Sequence, residues 1–199
     1  MYSERNIVCV TNRHLCREDF LNRLENIAAC HPKGIILREK DMDEKDYKAL
    51  AEQVLKICGK YSTECILHSF YNSAIELSHK SIHLPLHILK EMPKSKKAFF
   101  TRLGCSVHSA EEAAEAEKLG CTYITAGHIF VTDCKKGLEP RGIDFLKNVI
   151  KTVNIPVYAI GGINRTNAGD IFKTGAGACI MSGFMTCDDP ETFIDEVRK

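Results

Sequence analysis

The segment Ala126-Gly127-His128-Ile129-Phe130 sets an imidazole at the end of an apolar run, beside a glycine that gives access. Imidazole titrates near neutrality and can both take and return a proton. Position alone leaves two readings of His128 open, a general acid–base group or a hydrogen-bonded structural histidine. Arg38-Glu39-Lys40 puts three charges directly after a second apolar run. Charge there is costly unless a polar ligand is recognised, and with Lys135 the group points to a substrate carrying more than one negative charge. Gly161-Gly162 and Ser182-Gly183 follow two further runs. Glycine turns let backbone N–H groups approach an oxyanion, which suits a phosphate; the competing reading is two tight loops whose glycines serve geometry alone.

The elements that must position these groups alternate along the chain. Short apolar runs at 7–11, 34–38, 65–68, 82–84, 104–108, 123–126, 157–160 and 178–182 are continuous and rich in Ile and Val, as strands buried on both faces should be. Amphipathic stretches lie between them. Over 43–59, Tyr47, Leu50, Ala51, Val54 and Cys58 share one helical face, with Gly59 as the expected stop. Ser109-Ala110-Glu111-Glu112 is a capping box for a helix that Gly120 ends. Asn164 can cap a helix running to Gly175, and Asp189-Pro190 opens the last one. The helices after His68 and Leu84 look short.

Eight strand–helix units in unbroken alternation predict an α/β fold, a single (β/α)8 TIM barrel with small, tight loops over residues 1–199. An open doubly wound sheet is the weaker choice, because no dinucleotide glycine signature is present. A barrel draws its reactive residues from the C-terminal strand ends. Those positions hold Arg38, Glu39, Lys40, His68, His83, Ser106, His108, His128, Thr132, Lys135, Gly161, Gly162, Ser182 and Gly183. His14, His31 and His79 fall in loop or helix contexts and read as ordinary surface or boundary residues.

Composition narrows the function classes. Among 199 residues, 44% are hydrophobic, and 27 basic against 26 acidic side chains leave a net charge of +1. That balance excludes a disordered chain and gives no call for nucleic acid or an anionic membrane. No apolar run approaches the length of a membrane span, and Met1-Tyr2-Ser3-Glu4-Arg5 does not read as a signal peptide. A cytoplasmic protein is expected. The ten cysteines contain no C-x-x-C pair, so they read as reduced, mostly buried thiols rather than as a zinc site or a disulfide framework. Lys94-Ser95-Lys96-Lys97 reads as a solvated turn.

Four longer segments resemble one family. Ile36-Leu37-Arg38-Glu39-Lys40-Asp41, the run Gly-Cys-Ser-Val-His-Ser at 104–109, the stretch from Gly127-His128 to Cys134-Lys135, and Ile155-Pro156-Val157-Tyr158-Ala159-Ile160-Gly161-Gly162-Ile163 are similar to the thiamine phosphate synthase superfamily. The resemblance spans the first strand to the last and implies a (β/α)8 barrel that binds a thiazole phosphate-type ligand. Within it, the synthase branch carries a Gln where Ile36 stands, Asn-Asp where His68-Ser69 stand, and His-Leu-Gly-Gln-x-Asp where the chain reads His83-Leu84-Pro85-Leu86-His87-Ile88. Both metal-binding aspartates are absent, leaving no evident hard-oxygen site for the Mg²⁺ that escorts diphosphate.

The thiazole tautomerase (TenI-like) branch resembles the chain at the same points, with His-Leu-Pro, Ser-Val-His-Ser and Gly-His-x-Phe. That resemblance implies an isomerase that aromatises a carboxylated thiazole phosphate tautomer without metal or cofactor, with His128 as the acid–base residue. It further implies that Arg38 with Lys40 or Lys135 holds the carboxylate. Gly161, Gly162, Ser182 and Gly183 would hold the phosphate, and Ser106 and Thr132 would complete the site. The rival expectations are the synthase itself and a non-catalytic, regulatory thiazole phosphate binder. A homodimer formed through the outer helices is compatible with each.

Overall fold

The computed structural model describes residues 6–135 and 137–199, Cys134 by its backbone only; residues 1–5, read above as not forming a signal peptide, lie outside the described residues. Eight parallel strands close into one barrel: β1 (Ile7–Val10), β2 (Gly34–Leu37), β3 (Cys65–His68), β4 (Ser81–Pro85), β5 (Arg102–Val107), β6 (Tyr123–Gly127), β7 (Val157–Ile160) and β8 (Gly177–Ile180). Each pairs with its sequence neighbour, and β8 returns to β1 with Val8 opposite Cys179. Closure leaves no open edge. The connections carry α1 (Phe20–Ala29), α2 (Glu44–Lys60), α3 (Tyr71–Glu76), α4 (Leu86–Glu91), α5 (Lys94–Lys97), α6 (Ala110–Lys118), α7 (Gly142–Thr152), α8 (Ala168–Phe172), α9 (Ser182–Thr186) and α10 (Pro190–Val197). No helix among the described residues is long and apolar enough to cross a membrane.

Strand alternation makes two apolar layers. Val8, Val10, Ile36, Ile66, Tyr123, Tyr158 and Cys179 form one cluster inside the barrel. Intervening residues such as Cys9, Ile35, Leu37, Leu67 and Ile82 pack outward against the helices. Because both faces are buried, the strands read as continuous apolar runs. The N-terminal end of the barrel is plugged by aromatic rings. Tyr123 meets Tyr158 edge-on at 5.8 Å, the Arg102 guanidinium lies 4.9 Å over the Tyr123 ring, and Arg102 pairs with Glu64. Edge-on ring pairs contribute about 0.5–1.5 kcal/mol beyond their buried area. A plugged floor leaves the C-terminal end as the open mouth.

Several helix starts follow from their caps. Asp19, Asp43, Ser109 and Asp189 accept hydrogen bonds from the N–H groups of Asn22, Asp46, Glu112 and Thr192, with Pro190 at the first helical position. Other expectations shift by a few residues. α2 runs through Gly59 to Lys60, because a glycine in an exposed helical turn is tolerated and Ser62, at φ 53°, makes the reversal instead. Asn164 organises a turn, accepting from the Thr166 N–H and hydroxyl, ahead of a helix that starts at Ala168. β5 begins at Arg102, earlier than the apolar run, since that polar end points at Glu64 and Tyr123. The basic cluster at 94–97 forms one helical turn with no buried residue.

Candidate active site

The mouth opens into a cavity of about 560 Å³. Arg38, Lys40, Ser106, His128, Thr132, Lys135, Gly161, Gly162 and Ser182 all reach its wall. Gly183 is not on the lining. Its α-carbon packs on Phe193, where an added Cβ would sit 2.3 Å from the ring. The cavity also takes in His68, His83, His108 and Thr125, which come from strands β3 to β6 or their ends.

The cations are close enough to feel one another. Partial burial, and then the charges of Arg38 and Lys135, push the Lys40 ammonium below its ordinary value. A bound anion would relieve that repulsion. Glu39, in contrast, is turned away from the cavity. It is 2% exposed and accepts from the Thr11 hydroxyl at 2.6 Å and from the Arg13 N–H at 3.0 Å, with the Arg13 guanidinium 3.2 Å away. Thr11 in turn accepts from the Arg38 N–H at 2.9 Å. Glu39 therefore ties the β1 and β2 loops together and orients Arg38. Glu39→Ala would strand a buried hydroxyl and a backbone donor, so it should lower unfolding free energy by about 1–3 kcal/mol; denaturant titration of the variant checks this.

His128 is 8% exposed, and its Nε2 lies 3.4 Å from the Leu138 carbonyl. A carbonyl can only accept, so this contact assigns the proton to Nε2 and leaves the lone pair on Nδ1. The residue is pinned from both sides along the backbone. Its carbonyl accepts from the Arg141 N–H at 3.0 Å, and the Ile129 and Phe130 N–H groups donate to Ile160 and Gly161. Gly161, at φ 102°, packs against the His128 side chain, and an added Cβ there would lie 2.4 Å from the His128 Cβ. Gly162, at φ 67°, allows the Val131 carbonyl to approach within 2.3 Å of the place a Cβ would take. These glycines thus seat His128 and the loop after β6 as well as exposing backbone to the cavity.

The floor of the cavity is a polar network that single positions did not reveal. His83 Nδ1 lies 2.9 Å from the Tyr123 hydroxyl and Nε2 lies 2.8 Å from Ser106 Oγ, while Thr125 Oγ1 is 3.2 Å from Ser106 Oγ. His68 stacks on His83 at 5.9 Å. Its backbone N–H donates to the Tyr47 hydroxyl at 2.7 Å, and its Nδ1 contacts Ser69 Oγ at 2.8 Å. Burial, with Arg102 nearby, lowers His83 to about 3. His68 is also held well below its ordinary value, by burial first and then by His83, Arg38 and Lys40. Both rings are neutral at physiological pH. Alternation along β5 and β6 was the available signal, since it turns Ser106, Tyr123 and Thr125 to one side.

Of the other histidines, His14 is exposed and contacts Asp41, and His79 Nε2 lies 2.8 Å from the Cys65 carbonyl. His108 sits at the rim, 3.4 Å from Glu112. Glu112 supplies the lining's sole carboxylate among the described residues, and no group of three His, Cys, Asp or Glu side chains there could hold a metal ion. A hard cation takes several oxygen ligands. The residues present do not fit the magnesium that the synthase resemblance implies.

Comparison with known proteins adds the family context. Residues 7–184 match the family model TMP-TENI, described as thiamine monophosphate synthase. A thiamine-phosphate synthase of Pyrococcus furiosus is 38% identical over 172 residues, covering 83% of this chain and 81% of that protein. A putative thiamine-phosphate synthase 2 of Aquifex aeolicus is 32% identical over 170 residues, covering 85% of this chain and 91% of its own length. Among solved structures, a thiamine phosphate pyrophosphorylase from Pyrococcus furiosus is similar with a TM-score of 0.84 at 27% identity, covering 98% of this chain and 94% of that one.

Proposed function

This chain belongs to the thiamine monophosphate synthase family, and within it we propose that it acts as a thiazole tautomerase, an isomerase aromatising a carboxylated thiazole phosphate. One observation carries the reading: a buried imidazole and the cations Arg38, Lys40 and Lys135 converge on a cavity that, among the described residues, lacks the carboxylates for a divalent ion.

The ligand's phosphate is assigned to the turns at Gly161, Gly162 and Ser182, with Gly183 behind them, and Thr132 at the loop after β6. Its carboxylate is assigned to Arg38, which offers a planar bidentate fit, with Lys40 and Lys135 supplying further positive charge. His128 then takes the proton from the ring carbon bearing the carboxylate. That electron pair forms a ring carbon–nitrogen double bond, the existing double bonds shift along the conjugated path, and the exocyclic carbon takes the proton back from the imidazolium. One proton leaves and one returns, nothing is oxidised, and aromaticity makes the step downhill. The cations favour the transition state because charge delocalises onto the carboxylate as the C–H bond breaks.

The second reading is the synthase reaction, favoured by the names of the relatives above. The test is to incubate purified protein with pyrimidine diphosphate, thiazole phosphate and Mg²⁺, and in parallel with the freshly made carboxylated tautomer. Tautomer conversion without thiamine phosphate formation is the expected result. Magnesium-dependent condensation with no conversion would replace the proposal by the second reading.

A further inference from the structure

The hydrogens of the cavity floor can be assigned by accounting for donors and acceptors. Tyr123 is 2% exposed, and His83 Nδ1, at 2.9 Å, is the partner of its hydroxyl among the described residues. A buried hydroxyl proton needs an acceptor, so Tyr123 donates and Nδ1 accepts. A neutral imidazole then carries its proton on Nε2, which donates to Ser106 Oγ at 2.8 Å. Thr125 donates to the same oxygen at 3.2 Å, and its own oxygen lies 3.3 Å from His83 Nε2. Ser106 Oγ thus receives two hydrogen bonds, and its own proton is left to point into the cavity that Ser106 lines. Burial keeps His83 from picking up a second proton that would reverse the arrangement.

We infer that His83, oriented by Tyr123 and acting on Ser106 together with Thr125, is a positioning residue that fixes Ser106 as a hydrogen-bond donor, so that the site selects a five-membered heterocycle presenting a ring-nitrogen lone pair to the floor. The identity of the acceptor rests on the proposed function: with the phosphate at the glycine turns and the carboxylate at the cations, the ring nitrogen is the remaining strong acceptor. A ligand presenting C–H or N–H at that point would leave the Ser106 proton without a partner, a loss that costs more than an ordinary hydrogen bond gains.

Two measurements test this separately. In ligand-free protein labelled with ¹⁵N-histidine, His83 should show the Nε2–H tautomer with no titration between pH 5 and 8; an Nδ1–H tautomer overturns the inference. In calorimetric binding, the aromatic carboxythiazole phosphate should bind wild type about tenfold or more tightly than its thiophene analogue, in which C–H replaces the ring nitrogen. Ser106→Ala should reduce that preference to about threefold or less while still binding both, and His83→Gln, which keeps an N–H donor, should retain more of it than His83→Phe. Equal binding of the two ligands by wild type overturns the inference. An Nε2–H tautomer in a protein that binds neither ligand overturns the ring-nitrogen selection and the proposed function together, leaving the donor arrangement in place.

Discussion

If the chain is the proposed tautomerase, His128→Ala should lower the rate of tautomer conversion by about 10²–10⁴-fold, the usual contribution of a positioned acid–base group. The imidazole is buried at the mouth, with Nε2 facing the Leu138 carbonyl, so Nδ1 is the nitrogen able to accept a proton. The histidines and carboxylates nearby are poor substitutes for it. His68 and His83 are held neutral far below physiological pH, which makes them poor bases. The carboxylates of Glu39 and Glu112 are engaged by Thr11 and Arg13, and by the His108 N–H. The substitution removes a side chain and leaves the residues proposed to hold the phosphate and carboxylate, so kcat should fall while KM changes little. Steady-state kinetics on tautomer generated in situ measures both. A variant with unchanged kcat would remove His128 from the chemistry.

Acid should destabilise the protein in a window set by the two floor histidines. An unfolded histidine titrates near 6.5, whereas His83 in the fold is lowered to about 3 and His68 moves the same way. Between those values the unfolded chain binds more protons than the native one, so stability rises with pH there. The contribution is fully present above about pH 6.5 and is lost as pH falls toward 3. The His83 imidazole supplies a slope of about 1.4 kcal/mol per pH unit inside the window, and His68 adds to the loss in the same direction. Carboxylates act in a lower range. Asp41, held by Arg13 and His14, is shifted well below the usual carboxylate values, so its contribution is lost under more acidic conditions. Urea titrations at pH 7.5, 6.5, 5.5 and 5.0 should show the midpoint falling through this series, and His83→Gln should flatten the decline. An unchanged midpoint across the series would contradict neutral burial of the pair.

The barrel was legible because its strands are buried on both faces, and burial of that kind leaves continuous Ile- and Val-rich runs. The cavity wall was legible for a related reason: polar residues just past such runs, as at Arg38, Ser106 and His128, have few places to go but the mouth. What stayed hidden was the direction each polar group takes after arriving. Glu39 stands between two cavity-facing cations and yet turns back to Thr11, 28 residues earlier in the chain. His83 draws its role from Ser106 and Tyr123, at separations of 23 and 40 residues. Pairings between separate barrel strands have no local pattern in the chain, so only the closed register brings them together. Gly183 shows the same limit, since its close packing on Phe193 and its place off the cavity lining have no mark in the local sequence.

The proposed activity is movement of a proton within a carboxylated thiazole phosphate, without a metal ion. Its most direct test follows proton NMR of the freshly prepared ylidene tautomer in chelator-treated buffer, with and without the wild-type protein. Disappearance of the tautomer signals and growth of the aromatic product at a rate proportional to protein concentration is the predicted result. Equal rates in both samples would contradict the account and leave a phosphate-binding barrel whose chemistry lies elsewhere.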